Sequence, residues 1–209
     1  MDFKKWLNEK KARNLITALE NKGYNAVYAE DIEEAKKILF EQMLPKHVSV
    51  GLGGSETLAK MDILSVLRNG DYNLFDRYNC DNHYEVCRES LMADYFITGT
   101  NAVTKNGELV NLDCSGSRTA AIMYGPRKVI IIVGINKLVD NIEEGIKRAR
   151  GIAPMNCKRS GHKTPCAETG FCEECSDKWR MCNHIGITLD AHKFEGRMNI
   201  IVINEELGF

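Results

Sequence analysis

The chain has 209 residues, 44% hydrophobic and 27% charged, with a formal net charge of −1. That balance lets it bury a core and supplies no global attraction to nucleic acid or to an anionic membrane. No apolar run approaches the roughly 20 residues that span a bilayer; the longest, "VIIIVG", suits a buried strand. The opening "MDFKKWLNEKKARN" is charged every few residues and lacks the apolar stretch of a signal peptide, so a cytoplasmic setting is expected.

In chain order, Ala12, Leu15, Ile16 and Leu19 share one helical face, which Gly23 stops. "NAVYAE" reads as a strand. "DIEEAKKILFEQML" reads as a helix with Asp31 as its N-cap and Ile32, Ala35, Ile38 and Leu39 as its buried stripe. "HVSVGLGG" is a strand running into glycines, "SETLAKMDILSVLRNG" a helix closed by Asn69 and Gly70, and "YNLFDRY" a strand. A helix over 84–92 precedes the strand "DYFITGT". "AVTKNGELVNLD" is a hairpin turning at Asn106-Gly107. "SGSRTAAIMYG" is a short helix, "KVIIIVG" a core strand, and "NIEEGIKRARGI" a helix with Ile142, Ile146 and Ala149 inward. After Pro154 the apolar periodicity stops until "NIIVINEEL", a strand expected to rejoin the main sheet.

This alternation predicts an α/β fold: a mostly parallel sheet flanked by helices, with one antiparallel hairpin attached. Residues 1–209 are read as a single domain, with 155–184 as a cysteine-rich appendage. Tyr72, Phe75 and Phe96 are read as core, and nothing points to nucleic acid.

Three segments can carry chemistry. In the turn "VGLGGSETL", Gly51, Gly53 and Gly54 let backbone approach a ligand, and the helix start at Ser55 and Glu56 offers unpaired N–H groups to an anion. No Lys follows, so it is not a Walker loop. The plainer reading is a tight strand-to-helix connection capped by Ser55. In the second segment, Asn111, Asp113, Cys114, Ser115, Ser117 and Arg118 form the turn from hairpin to helix. Asp113 can serve as a base and Arg118 as a carboxylate clamp; alternatively Asp113 or Ser115 caps the helix and Arg118 only makes an ion pair. Cys114 is read as structural rather than as a nucleophile. His83, Glu85, Cys80 and Cys87 lack further ligands at workable spacing and are read as spectators.

The third segment, "PCAETGFCEECSDKWRMCN", places Cys166, Cys172, Cys175 and Cys182 in a C-x5-C-x2-C-x6-C order, with Cys157, His162 and His184 as reserve ligands. Four thiolates suit tetrahedral zinc or an iron–sulfur cluster, and a reducing compartment favours a metal over disulfides. Disulfides or free thiols remain the alternative.

"VGLGGSETL", "DRY" and "ADYFITGTNAVTKNGELVNLDCSGSRTAAIMYGPRKVIIIVGINKLV" resemble the LUD-domain, or lactate-utilisation, family, which includes lactate-utilisation protein C. The likeness extends over 12–209 and departs where relatives have "DGxGNR" and this chain has Cys114 and Ser117 in "DCSGSR". It implies a fold like glucosamine-6-phosphate deaminase, ribose-5-phosphate isomerase and the CoA transferases, with the glycine turn at a ligand cleft. A small anionic metabolite would then meet Gly51, Gly53, Gly54, Ser55, Glu56, Asn111, Asp113, Ser115 and Arg118, with Asp113 and Arg118 as catalytic candidates. The resemblance further implies a role in oxidising lactate to pyruvate beside iron–sulfur partner proteins, and so prefers an iron–sulfur cluster to zinc at the four cysteines. The second reading is a non-catalytic subunit or docking module with a structural zinc. Homo-oligomerisation is left open.

Overall fold

The computed structural model describes residues 2–209 and builds its main sheet from β1 (Asn25–Ala29), β2 (Ser49–Leu52), β3 (Asn73–Phe75), β4 (Tyr95–Gly99), β7 (Lys128–Gly134) and β10 (Met198–Ile203). All six are parallel, in the spatial order β1-β10-β7-β4-β2-β3. β10 rejoins the sheet as expected, between β1 and β7, with Ile200 opposite Ile131. No helix of the described residues is long and apolar enough to cross a membrane.

Period-two alternation divides the apolar side chains of the central strands between two cores. On one face, Ile130, Ile132, Ile201 and Ile203 pack with Val50, Leu52 and Ile97 against α2 (Ile32–Lys37), α3 (Glu56–Lys60) and α4 (Ile63–Asn69). On the other face, Val129, Ile131, Val133, Ile200 and Val202 meet Ala12, Leu15 and Leu19 of α1 (Phe3–Glu20). Asp31 caps α2 as expected, its side chain accepting from the Glu34 N–H at 2.9 Å.

Two helices are less regular than their sequence suggests. α2 runs on as a π-helical stretch, Ile38–Met43, closed by Leu44 N–H donating to the Leu39 carbonyl. Ile38 and Leu39 are both buried, as the expected stripe places them. The helix expected after the glycine turn breaks between α3 and α4 at Asp62, which is left-handed with φ 52°. Met61 and Ile63 are both buried. Residues two apart on a continuous helix point away from one another, so the break lets both reach the core.

The hairpin belongs to a second sheet, ordered β8-β5-β6-β9. It comprises β5 (Ala102–Thr104), β6 (Leu109–Asp113), β8 (Leu138–Val139) and β9 (His184–Thr188). The turn between β5 and β6 uses Gly107 at φ +89°, as Asn-Gly hairpins require. β9 pairs antiparallel with β6, from Leu109 opposite Thr188 to Asp113 opposite His184. Sequence periodicity does not reveal β9, which is five residues with Gly186 at its centre. The remaining helices are α5 (His83–Glu89), α6 (Ser117–Met123), α7 (Ile142–Gly151), α8 (Ala153–Arg159) and α9 (Pro165–Thr169).

The strand order contains one reversal that positions the site. The chain leaves β2 toward β3 on one side, whereas β4, adjacent to β2, leads across to β7 on the other. Connections that diverge from neighbouring parallel strands open a crevice beyond their carboxyl ends, where α/β proteins bind ligands.

Candidate anion-binding cleft

A cavity of about 440 Å³ opens at that crevice. The turn after β2 contributes Gly54, the segment after β4 contributes Asn101, and the turn before α6 contributes Asp113, Ser115 and Arg118. Arg77 and His83 close one side, while Arg159 and His162 reach in from the cysteine-rich segment. Three guanidinium groups therefore face one carboxylate. Behind this cavity, a recess of about 30 Å³ is lined by Gly54, Ser55, Glu56, Thr100 and Lys137, and shares Asn101 and Arg118 with it.

The three glycines of the turn do different things. A Cβ on Gly51 would lie 2.7 Å from Ser90 Cβ, and one on Gly53 would lie 2.8 Å from Thr98 Cβ, so both are bare for packing. At Gly54 the nearest atoms to such a Cβ belong to Arg77 and Tyr78, 3.9 Å away, so this glycine faces the cleft. Ser55 caps α3, its Oγ accepting from the Leu58 N–H at 3.4 Å. Of the expected set, Gly54, Ser55, Glu56, Asp113, Ser115 and Arg118 line the cavity or recess; Gly51, Gly53 and Asn111 do not. Asn111 is buried in β6, and its Oδ1 has no hydrogen-bond partner.

Asp113 and Arg118 are both buried and bound to each other. Arg118 Nε donates to Asp113 Oδ1 at 2.9 Å, and Nη2 donates to Asn101 Oδ1 and the Leu112 carbonyl, each at 2.8 Å. Asp113 Oδ2 accepts from the Thr119 N–H at 2.8 Å, which ties the start of α6. Both carboxylate oxygens are occupied, so Asp113 orients Arg118 rather than standing free as a base. Arg118 Nη1 takes part in none of these bonds. Burial, then the Asp113 charge and Cys182, push the Cys114 thiol up, opposite to what an activated nucleophile needs.

Lys137 is the principal residue that the sequence left unmarked. It ends the 3-10 turn Ile135–Lys137 that follows β7 and is only 4% exposed. Its Nζ donates to Thr57 Oγ1 at 2.8 Å and to the Thr100 carbonyl at 3.2 Å. Burial, followed by the charges of Arg148, Arg118 and Lys60, pulls its pKa down to about 7. The available signal was a lysine at the end of the most apolar strand, in "VIIIVGINK". Arg77 and His83 were also unmarked as a pair. Arg77 Nη2 donates to His83 Nε2 at 3.0 Å, which makes Nδ1 the protonated nitrogen, and Nδ1–H donates to the Arg77 carbonyl at 3.0 Å.

In the cysteine segment the thiols that meet are Cys157, on α8, and Cys166, on α9, with their sulfurs 3.9 Å apart. Two thiolates on one tetrahedral ion, each bonded at about 2.3 Å, place their sulfurs about 3.8 Å apart. That pair therefore fits two positions of a metal centre. Burial pushes the Cys157 thiol up to about 11, with Cys166 and Cys182 adding to the shift. Cys172 is exposed, and Cys175 and Cys182 are half-buried. Arg180 gathers their loop by donating to the Cys175 and Cys182 carbonyls at 2.6 Å and 3.1 Å. Among the described residues, no three Cys, His, Asp or Glu side chains stand together at ligating distance. Of the reserve ligands, His162 Nδ1–H is committed to the Trp179 carbonyl at 2.7 Å, and His184 is exposed on β9.

A parallel sheet flanked by helices, with a crevice at its strand reversal, defines an α/β protein of the kind whose ligand sites lie at the sheet's carboxyl edge. The family model for the LUD domain matches residues 12–203, and the chain belongs to that family. Its fold is similar to that of a DUF162 family protein from Deinococcus radiodurans solved by crystallography, at 13% identity and a TM-score of 0.51, over 94% of this chain and 98% of that one. The eIF2B beta structure from Chaetomium thermophilum is similar at 14% identity over 54% of this chain and 44% of that one, with a TM-score of 0.36, too slight a likeness to bear on the fold. No curated protein matches the chain.

Proposed function

We propose that this protein binds a small anionic metabolite in the crevice beyond β2 and β4, as part of lactate oxidation to pyruvate beside iron–sulfur partner proteins. Membership of the LUD-domain family supports a lactate-utilisation-related protein. The observation that carries the ligand class is the charge of the cleft: Arg77, Arg118 and Arg159 face it, Asp113 is spent on Arg118 and Glu56 of the recess on Arg159, and Arg77 has no carboxylate partner. A cavity rich in positive charge at a strand reversal suits a carboxylate or phosphate. In this reading Arg118 meets the ligand, Asp113 and Asn101 position Arg118, and Gly54 leaves the approach open.

The cysteine segment, in the same reading, carries a metal centre. Cys157 and Cys166 would hold it together with Cys182 and one of Cys172 and Cys175. An iron–sulfur cluster there would supply one-electron transfer, and zinc would supply structure alone. Arg159 and His162 come from this segment and also line the cleft, so ordering the segment would also order the cleft wall.

Calorimetric titration with lactate, pyruvate and a CoA thioester tests the ligand reading. Binding of one of these acids, weakened at least fivefold by Arg159→Glu on the half-exposed rim, supports it. Failure of the unaltered protein to bind any of them would remove it.

A further inference from the structure

The geometry points to Lys137 as the residue that receives the carboxylate of the bound acid, in the recess beneath Gly54, with the rest of the ligand lying in the larger cleft. This inference rests on the anion-binding reading of that cleft.

Lys137 ends the 3-10 turn after β7 and reaches the crevice between β2 and β4, where Thr57 of α3 and the Thr100 carbonyl fix its amine. An ammonium has three N–H groups, and these two acceptors take two of them. The third is left for the recess that Lys137 lines.

A buried ammonium is ordinarily paired with a carboxylate, because leaving its charge uncompensated is costly. Among the described residues no carboxylate lies within ion-pair distance of Lys137. The charges that act on it come from Arg118 on α6, Arg148 on α7 and Lys60 on α3, all cations. Three carboxylates stand nearby: two are engaged by arginines, and the terminal carboxylate of Phe209, which also lines the recess, makes no ion pair with Lys137. Glu56 of α3 lines the recess and pairs with Arg159 at 3.6 Å, and Asp113 of β6 is bound to Arg118. The missing partner is thus an anion that the chain itself does not supply.

The recess is small and open to the cleft. Its volume of about 30 Å³ admits two or three water-sized groups, at roughly 10–15 Å³ for each. A carboxylate head fits that space. The wall shared by recess and cleft, formed by Gly54, Asn101, Arg118 and Asn156, leaves the body of the acid in the 440 Å³ cavity.

Proton uptake follows from this placement. The amine is half-charged near neutral pH when the recess is empty. A carboxylate beside it favours the charged form, so acid binding draws a proton onto Lys137.

The experiment is calorimetric titration of the unaltered protein and of Lys137→Met with pyruvate, and separately with inorganic phosphate, from pH 6 to pH 9. The unaltered protein should bind pyruvate with an affinity that falls by up to about tenfold per pH unit above pH 7, as one coupled proton requires. Lys137→Met should bind at least tenfold more weakly at pH 6 and lose the pH dependence. The pH profile of the unaltered protein reads the same contribution if the variant fails to fold. Pyruvate binding that is flat with pH and indifferent to Lys137→Met would overturn this inference and leave the cleft reading standing. Phosphate bound in a Lys137-dependent way, with pyruvate excluded, would overturn the carboxylate assignment. Absence of binding by either anion would overturn both.

Discussion

Arg118 Nη2 lies 2.8 Å from Asp113 Oδ1, with about a tenth of each side chain exposed. Removing one partner of such a pair strands the other charge in a poorly hydrated site, at a cost of about 3–5 kcal/mol. Arg118→Ala should therefore lower the urea midpoint sharply as well as weaken ligand binding. The double variant Arg118→Met, Asp113→Leu should recover part of the loss, because apolar replacement of both partners leaves no stranded charge. Equal losses in the single and double variants would show that the pair contributes nothing as a pair.

Adjacent glycines should respond in opposite ways. Gly53→Ala forces a methyl group against Thr98, and overpacking of this kind costs about 1–3 kcal/mol. Gly54→Ala meets only ordinary contacts, with Arg77 and Tyr78 at 3.9 Å, so stability should stay within about 0.5 kcal/mol. Its methyl group faces the cleft, however, and should reduce affinity for an acid. Thermal unfolding and titration of the two variants side by side separate the packing glycine from the ligand-facing one.

Lys137 should leave a signature in stability against pH. Its pKa is lowered from 10.5 to about 7 in the folded state. Between those values the unfolded chain holds a proton that the folded chain has released, so the free energy of unfolding rises with pH across that window. The slope from this group is at most about 1.4 kcal/mol per pH unit. Lys137→Met should remove that rise and be the more stable protein at pH 6. Chemical denaturation at pH 6, 7, 8 and 9 checks both statements, with a parallel profile for the variant as the contrary result.

The proximity of Cys157 to Cys166 bears on metal content. In protein prepared without oxygen, Cys157→Ser and Cys166→Ser should each lower bound iron or zinc by at least half, and Cys80→Ser, on the exposed surface, should not. Metal analysis gives the amount. A brown colour that bleaches on reduction identifies iron–sulfur, and a colourless protein holding one zinc supports the docking-module reading. Full metal content in both core variants would remove Cys157 and Cys166 from the ligand set.

Much of this architecture was legible in residues whose local chemistry is unambiguous. Strands rich in Ile and Val, the Asp31 cap, the Asn106-Gly107 turn and the glycine turn before Ser55 all stand where their patterns place them. What was hidden is tertiary in origin. The break at Asp62 serves a packing demand that no single-helix periodicity expresses. β9 is too short to signal itself without β6 beside it. Lys137 is one charge after an apolar run, and only the convergence of β2, β4 and β7 makes it a cleft residue. Spacing also favoured the Cys172–Cys175 pair, whereas packing of α8 on α9 brings Cys166 to Cys157 instead.

The most direct test is a crystal structure of the protein grown with saturating pyruvate. The expected result is density for the acid between the ends of β2 and β4, its carboxylate within hydrogen-bond reach of Lys137 Nζ. An empty recess, or pyruvate ordered only at some other place on the molecule, would contradict it.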